Sequence, residues 1–162
     1  MRVFRICRKA HAAFDGEGAR LYGGRWNRRG TAVVYASESL ALAALELLVH
    51  AESTLLPDDL VAVAADVPET VSVESLGIRD LPRDWRRHPA PEILAERGTE
   101  WARSGRTAVL AVPSALVPRE RNFVFNPAHP EFRKIRPHPP EPFALDARLT
   151  GGQTTRNAPD RR

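Results

Sequence analysis

The clearest periodicity in the chain lies between residues 38 and 51. Leu40, Ala43, Ala44, Leu47, Leu48 and Ala51 recur at the i, i+3, i+4, i+7 spacing of a helix that buries one face. Ser37 offers an N-cap and Glu38 suits the first turn, so the pattern predicts a helix from about Glu38 to Ala51. Just before it, Thr31–Ala36 (TAVVYA) is a short β-type run. Leu60–Val67 (LVAVAADV) is apolar enough to be an interior strand, and Thr70–Val73 reads as a further short one. Glu92–Ser104 has the pattern of a second helix, weakened by Gly98 and closed by Gly105. Thr107–Val112 predicts another buried strand, stopped at Pro113. Phe123–Phe125, Phe132–Arg136 and Phe143–Ala147 are three later β segments, separated by prolines.

Between these blocks the chain changes character. Gly16, Gly18, Gly23, Gly24 and Gly30 crowd the N-terminal quarter, which predicts loops or a hairpin approaching something closely. Asp80–Pro91 is rich in Pro, Arg and Asp and reads as a surface loop. From Thr150 onward apolar residues all but vanish, so one domain over 1–149 and a disordered tail over 150–162 are expected. Short strands that outnumber the helices without alternating regularly with them indicate a mixed α+β domain rather than a doubly wound nucleotide fold. Neither a Walker A sequence nor G-x-G-x-x-G occurs.

Composition narrows the function classes. With 43% hydrophobic and 27% charged residues in 162, the chain has ordinary globular usage and room for a single core. Its formal charge is +4, from 24 basic against 20 acidic residues. Half of that excess sits in the tail, in Arg156, Arg161 and Arg162 against Asp160, so the domain itself is too nearly neutral to bind a phosphate backbone on charge alone. Only Lys9 and Lys134 are lysines, and an arginine preference this general follows genome composition rather than recognition. The single cysteine, Cys7, excludes an internal disulfide and a multi-cysteine metal site. Charges interrupt the first nine residues where a signal peptide needs an apolar core, and no run nears the roughly 18 apolar residues of a membrane span. A soluble, cytoplasmic domain is expected.

Four places could carry chemistry. In Gly23-Gly24-Arg25-Trp26-Asn27, an arginine lies between a glycine pair and a rigid tryptophan, where its fork could grip a phosphate or carboxylate. The same residues would equally make a tight turn with Trp26 in the core. Tyr35 lies on the strand just before the long helix, either as packing or as a stacking surface. Glu46 is embedded in Leu42–Val49 (LAALELLV), where an ionised carboxylate is costly unless paired or hydrogen-bonded. Yet Ser39, Glu46, His50 and Ser53 share a stripe that could simply face solvent. Ser114, in Val112-Pro113-Ser114-Ala115, ends a strand without the glycine frame of a nucleophile elbow. Cys7 with His11 reads as packing rather than a thiol nucleophile, and the scattered histidines suggest no metal. A different class of function, nucleic-acid binding, would use Arg83, Arg86 and Arg87 with Trp85, plus Arg119, Arg121, Arg133, Lys134 and Arg136; the same positions would make an ordinary solvated face.

In order, these segments resemble the RES-domain toxin family, named for its Arg, Glu and Ser. The matching stretches are Phe4-Arg5-Ile6, Gly23–Asn27 with Gly30, Val34–Ser37 and Leu45–His50. They continue with Val112–Ala115, Asn122 through Asn126-Pro127 with His129-Pro130, and Phe143 to Leu149. The resemblance covers about residues 2–149. It implies a compact ADP-ribosyltransferase-like fold, with small twisted sheets around an NAD cleft. It also implies a toxin that works beside an Xre-type helix-turn-helix antitoxin, forms a hetero-oligomer with it, and needs neither a nucleic acid nor a membrane. The implied activity is degradation of NAD⁺ by hydrolysis or phosphorolysis, or ADP-ribosylation of a protein, with NAD⁺ as substrate and no other cofactor. Carried over, Arg25, Tyr35, Glu46 and Ser114 correspond to the family's arginine, tyrosine, glutamate and serine, and Arg5 to an N-terminal arginine. Glu46, Arg25 and Tyr35 would be catalytic, while Arg5, Arg25, Tyr35 and Ser114 would hold the dinucleotide.

Overall fold

The computed structural model describes residues 1–50 and 57–150. Its frame is one sheet in the order β4 (Val73–Ser75), β5 (Val109–Pro113), β6 (Arg121–Phe125), β2 (Val34–Ser37), β1 (Arg2–Arg8), β3 (Leu60–Asp66), β7 (Arg136–Pro137), with β8 (Glu141–Pro142) also paired to β3. Strand β1 (Arg2–Arg8) sits inside it, matched to β3 (Leu60–Asp66) from Arg2 opposite Asp66 to Arg8 opposite Leu60. Its three arginines hide this strand from a pattern search: Arg2 and Arg8 serve at its ends and Arg5 lines the cavity. Arg2 pairs with Asp66 at 2.8 Å and Arg8 with Asp59 at 2.9 Å, while Val3 and Ile6 are buried between them. β1 meets β2 (Val34–Ser37) at a single register pair, Phe4 with Ser37. β2 in turn pairs with β6 (Arg121–Phe125), and β6 with β5 (Val109–Pro113). All these pairings are antiparallel. β4 (Val73–Ser75) joins β5 in parallel at the edge.

The two-residue period divides the core. Val109, Ala111, Phe123 and Phe125 pack on one face with Val3, Val34 and Ala65. Leu110, Val112 and Val124 pack on the other with Trp26, Trp85, Leu94 and Trp101. β5 is buried at every position, which explains why its sequence is a continuous apolar run. A smaller cluster of Ile6, Ala43 and Leu60 lies beneath the first long helix.

That helix, α2 (Leu40–His50), begins later than expected. Ser39 rather than Ser37 caps it, its Oγ accepting the Leu42 N–H at 3.0 Å. Ser37 instead ends β2 and donates to Asn122 Oδ1 at 2.7 Å. The inward face is largely the expected one, with Ala43 buried and Ala44, Leu47 and Leu48 half-buried, but Leu42 is buried as well and Leu40 is exposed. Helix α3 (Glu92–Ser104) has the expected bounds, and Gly105 closes it with φ 60°. Gly98 is no weakness there. A Cβ on it would lie 1.9 Å from the Trp26 carbonyl oxygen, so the glycine lets α3 lie against that backbone.

Other departures are local. The glycine-rich quarter contains a six-residue helix, α1 (Glu17–Tyr22), ended by Gly23 at φ 74°. The 132–136 strand is instead a 3₁₀ turn at Pro130–Lys134 followed by β7 (Arg136–Pro137). The 143–147 strand is replaced by β8 (Glu141–Pro142), with the Phe143 N–H still donating to Leu60. Prolines on both sides limit such edge strands to two residues. The 70–73 strand starts at Val73, because residues 68–71 close a turn. The mixed α+β class stands as expected. Ala51, Ser53 and the tail from 151 lie outside the described residues.

Candidate active site

Period-two geometry points Tyr35 and Ser37 of β2 and Asn122 of β6 to one face of the sheet, since Ser37 lies opposite Asn122. α2 crosses near this face, and its inward rotation brings Glu46 over Asn122. The Glu46 Oε1 accepts from Ser114 Oγ at 2.9 Å and from Asn122 Nδ2 at 2.5 Å. The Ser37 bond to Asn122 Oδ1 orients the amide so that its NH₂ end meets the carboxylate. Ser114 is fully buried, and its Oγ accepts the N–H groups of Leu116 and Val117 at 3.1 and 3.2 Å. Its only proton therefore goes to Glu46. The glutamate is thus neither a free solvent-facing side chain nor an unpaired buried charge. It is a carboxylate held on one oxygen.

Glu46 lines a cavity of about 760 Å³, within the roughly 300–1,000 Å³ of small-molecule sites. Arg5, Arg25 and Tyr35 line the same cavity, as do Asn122, Arg86 and His88. Ser114 does not. It stands behind Glu46, so the expected direct contact with a ligand is revised: the residue supports the carboxylate from the protein interior.

Arg25 follows the Gly23-Gly24 pair for a spatial reason. A Cβ on Gly24 would lie 2.7 Å from the Tyr35 hydroxyl, so only glycine admits the tyrosine there. That hydroxyl accepts the Trp26 N–H at 3.0 Å and donates to Asn27 Oδ1 at 2.7 Å. Buried Asn27 ties the turn down through Ala19 and Thr31 carbonyls at 2.8 and 2.9 Å. Tyr35 is therefore a structural clasp whose ring edges the cavity. Burial pushes its phenol well above the ordinary value, so it stays neutral. The Arg25 guanidinium donates from Nη1 to the Trp85 carbonyl at 2.6 Å and from Nη2 to the Arg87 carbonyl at 3.3 Å. Burial pulls its pKa down, and the negative charge of Glu46 opposes that shift. Arg5 donates to the Ala13 carbonyl at 3.3 Å. Burial raises the Cys7 thiol, which suits a packed side chain and not a nucleophile. The 80–91 segment is a largely exposed loop, as expected, but its Arg86 and His88 line the cavity, and Trp85 is buried in the core and unavailable to stack on a base.

Residues 2–146 match the family model described as RES domain. The chain belongs to the RES domain family. Among its RES relatives, "Prs ADP-ribosylating toxin" of Sphingobium sp. (strain YBL2) is 43% identical over 137 residues, covering 83% of this chain and 85% of that protein. A "Toxin Res" of Yersinia enterocolitica is 40% identical over 154 residues, covering 92% and 99%. The fold is also similar to a chain of the Mycobacterium tuberculosis MbcT–MbcA toxin–antitoxin complex, with a TM-score of 0.71 at 18% identity over 93% of this chain and 86% of that one.

The structure brings together four of the five sequence-selected residues around one cavity and sets the fifth, Ser114, against Glu46. Asn122 and Arg86 were not singled out as site residues. A signal for Asn122 exists, since an amide is disfavoured inside a strand such as RNFVF unless it has partners. Arg86 had none beyond its place in a basic loop. Among the described residues no group of three or more His, Cys, Asp or Glu could hold a metal, and no helix is long and apolar enough to cross a membrane.

Proposed function

We propose that this chain is the toxin of a toxin–antitoxin pair, and that its cavity takes NAD⁺ and breaks the bond between nicotinamide and ribose. The observation that carries this reading is the Glu46 carboxylate, fixed on one oxygen by Ser114 and Asn122 at the wall of a cavity that also holds Arg25 and Arg5. Cleavage of that bond places positive charge on the ribose, in an oxocarbenium-like state. A preorganised carboxylate stabilises that charge without moving. The electron pair of the breaking bond leaves with nicotinamide, which departs neutral, so no general acid is required. The acceptor oxygen bonds to the ribose carbon and releases its proton to solvent. Arg25 and Arg5 lend positive charge to the substrate's diphosphate, and the Tyr35 ring borders the nicotinamide and ribose. Ser114 acts through Glu46, as a positioning residue.

Water and inorganic phosphate are the simplest acceptors. Transfer of ADP-ribose to a protein is the second reading, favoured by the 43% identical relative named as an ADP-ribosylating toxin. An antitoxin partner is supported by the similarity to a toxin–antitoxin complex, and an Xre-type protein covering the cavity in the cytoplasm is the form proposed here. NAD⁺ is then substrate and no further cofactor takes part. The test is to incubate the purified protein with NAD⁺, with and without inorganic phosphate or a cell lysate. Free ADP-ribose, its phosphorylated form or a modified protein is the expected product of each acceptor in turn. Intact NAD⁺ under all three conditions overturns the reading.

A further inference from the structure

The cavity holds three arginines that differ in how their nitrogens are engaged. Arg25 commits a hydrogen from each terminal nitrogen to a backbone carbonyl, those of Trp85 and Arg87. Arg5 commits Nη1 to Ala13. Arg86 is tethered through Nε alone, to the Ala115 carbonyl at 2.8 Å. Among the described residues its two terminal nitrogens have no protein acceptor, so its end-on fork is open while its stem is fixed.

The surroundings of Arg86 hold it in place. Trp85, its neighbour, is 4% exposed and anchors the loop in the core. The two Arg25 bonds fall on the carbonyls of residues 85 and 87, on either side of it. The Ala115 tether connects it to the turn that carries Ser114, the residue bonded to Glu46. Adjacent residues of one turn therefore anchor the cavity's carboxylate and its open guanidinium. A substrate that develops positive charge at one point and carries oxyanions at another suits a cavity lined by both groups.

We propose that Arg86 makes the bidentate contact to the substrate's diphosphate, while Arg25 braces the Arg86 loop and adds charge from the other side. This rests on the NAD⁺ reading above. Two parallel N–H···O bonds from a planar guanidinium suit a phosphate, and a lysine in the same place provides charge without the fork.

The test titrates wild-type protein, Arg86→Gln and Arg86→Lys with ADP-ribose and with nicotinamide riboside, which has no phosphate, by calorimetry. Arg86→Gln should weaken ADP-ribose by about 10- to 100-fold, the scale of a hydrogen bond to a charged group, with Arg86→Lys in between. Nicotinamide riboside should bind all three alike. Arg86 is exposed, so neither variant should unfold, and thermal melts check this. Unchanged ADP-ribose affinity in folded Arg86→Gln overturns the assignment while leaving the NAD⁺ reading intact. Equal losses for both ligands also overturn it, because the residue would then shape the cavity rather than grip phosphate. Wild-type protein that binds neither ligand and leaves NAD⁺ intact removes the reading and the assignment together.

Discussion

Helix α3 turns Leu94, Gly98, Thr99, Trp101 and Ala102 inward and leaves Glu92, Arg97, Glu100 and Arg103 in solvent. Helix α2 does the reverse at its centre, where Glu46 points to the cavity while Leu45 and Val49 are 43% and 54% exposed. Burial explains the orientation of α3, since its apolar face covers Leu110, Val112 and Val124 and, of its apolar residues, only Ile93, in its first turn, is left exposed. It does not explain α2, whose rotation leaves Leu40, Leu45 and Val49 in water and brings a carboxylate in. Two hydrogen bonds, from Ser114 and Asn122, offset that arrangement. Local preference is overruled where a site is built.

The largest effect expected from breaking this contrast is on the α2 side. Glu46→Gln keeps the shape and an oxygen that accepts from Ser114 and Asn122, but it removes the charge. Turnover of NAD⁺ should fall by about 10²- to 10³-fold, the scale of losing one preorganised electrostatic group, with the melting temperature little changed. Near-normal turnover would leave α2's rotation without a chemical reason.

On the α3 side the loss should fall on folding instead. A methyl on Gly98 must displace the Trp26 backbone, and overpacking of this kind costs about 1–3 kcal/mol or more. Denaturant unfolding of Gly98→Ala should show a lower midpoint. Because Trp26 adjoins Arg25, any residual folded protein should also bind NAD⁺ more weakly. An unaltered midpoint would mean that α3 is not packed on that turn.

Tyr35 lies between the two helices' territories and sharpens the comparison. Tyr35→Phe leaves the Trp26 N–H and Asn27 Oδ1 without their common partner, which costs about 1–3 kcal/mol. The phenol's pKa is raised in the folded protein above its ordinary value of 10.0. The protonated form is the one the fold favours, so its contribution is full below about pH 10 and is lost as pH rises above it. The stability gap between wild type and Tyr35→Phe should therefore be constant below that pH and shrink above it, as read by denaturant unfolding at each pH. A gap that widens with pH would reverse the assignment of the hydroxyl as donor to Asn27.

Much of this was legible in the chain itself, and for a common reason. The bounds of α3, its Gly105 cap and the interior strands β3 and β5 depend on signals within a few residues: a cap, a period, an unbroken apolar run. Arg25, Tyr35 and Glu46 stood out because each is chemically odd beside its neighbours, and the ordered resemblance to RES proteins joined them. What needed the tertiary structure was orientation and company. In LALAALELLVH the periodicity turns Ala43, Ala44 and Leu47 inward, but apolar residues on the other sides leave open how far the helix rotates and where Glu46 points. The choice was made by Ser114 and Asn122, 68 and 76 residues further along, whose donors lie on one side only. Strand β1 was hidden similarly, because the partners of Arg2 and Arg8 are 64 and 51 residues away. Arg86 became visible only when Trp85 was seen in the core and Ala115 beside it. A local pattern records what a segment prefers to bury, while the hydrogen-bond partners that make a buried charge tolerable are supplied by distant parts of the chain.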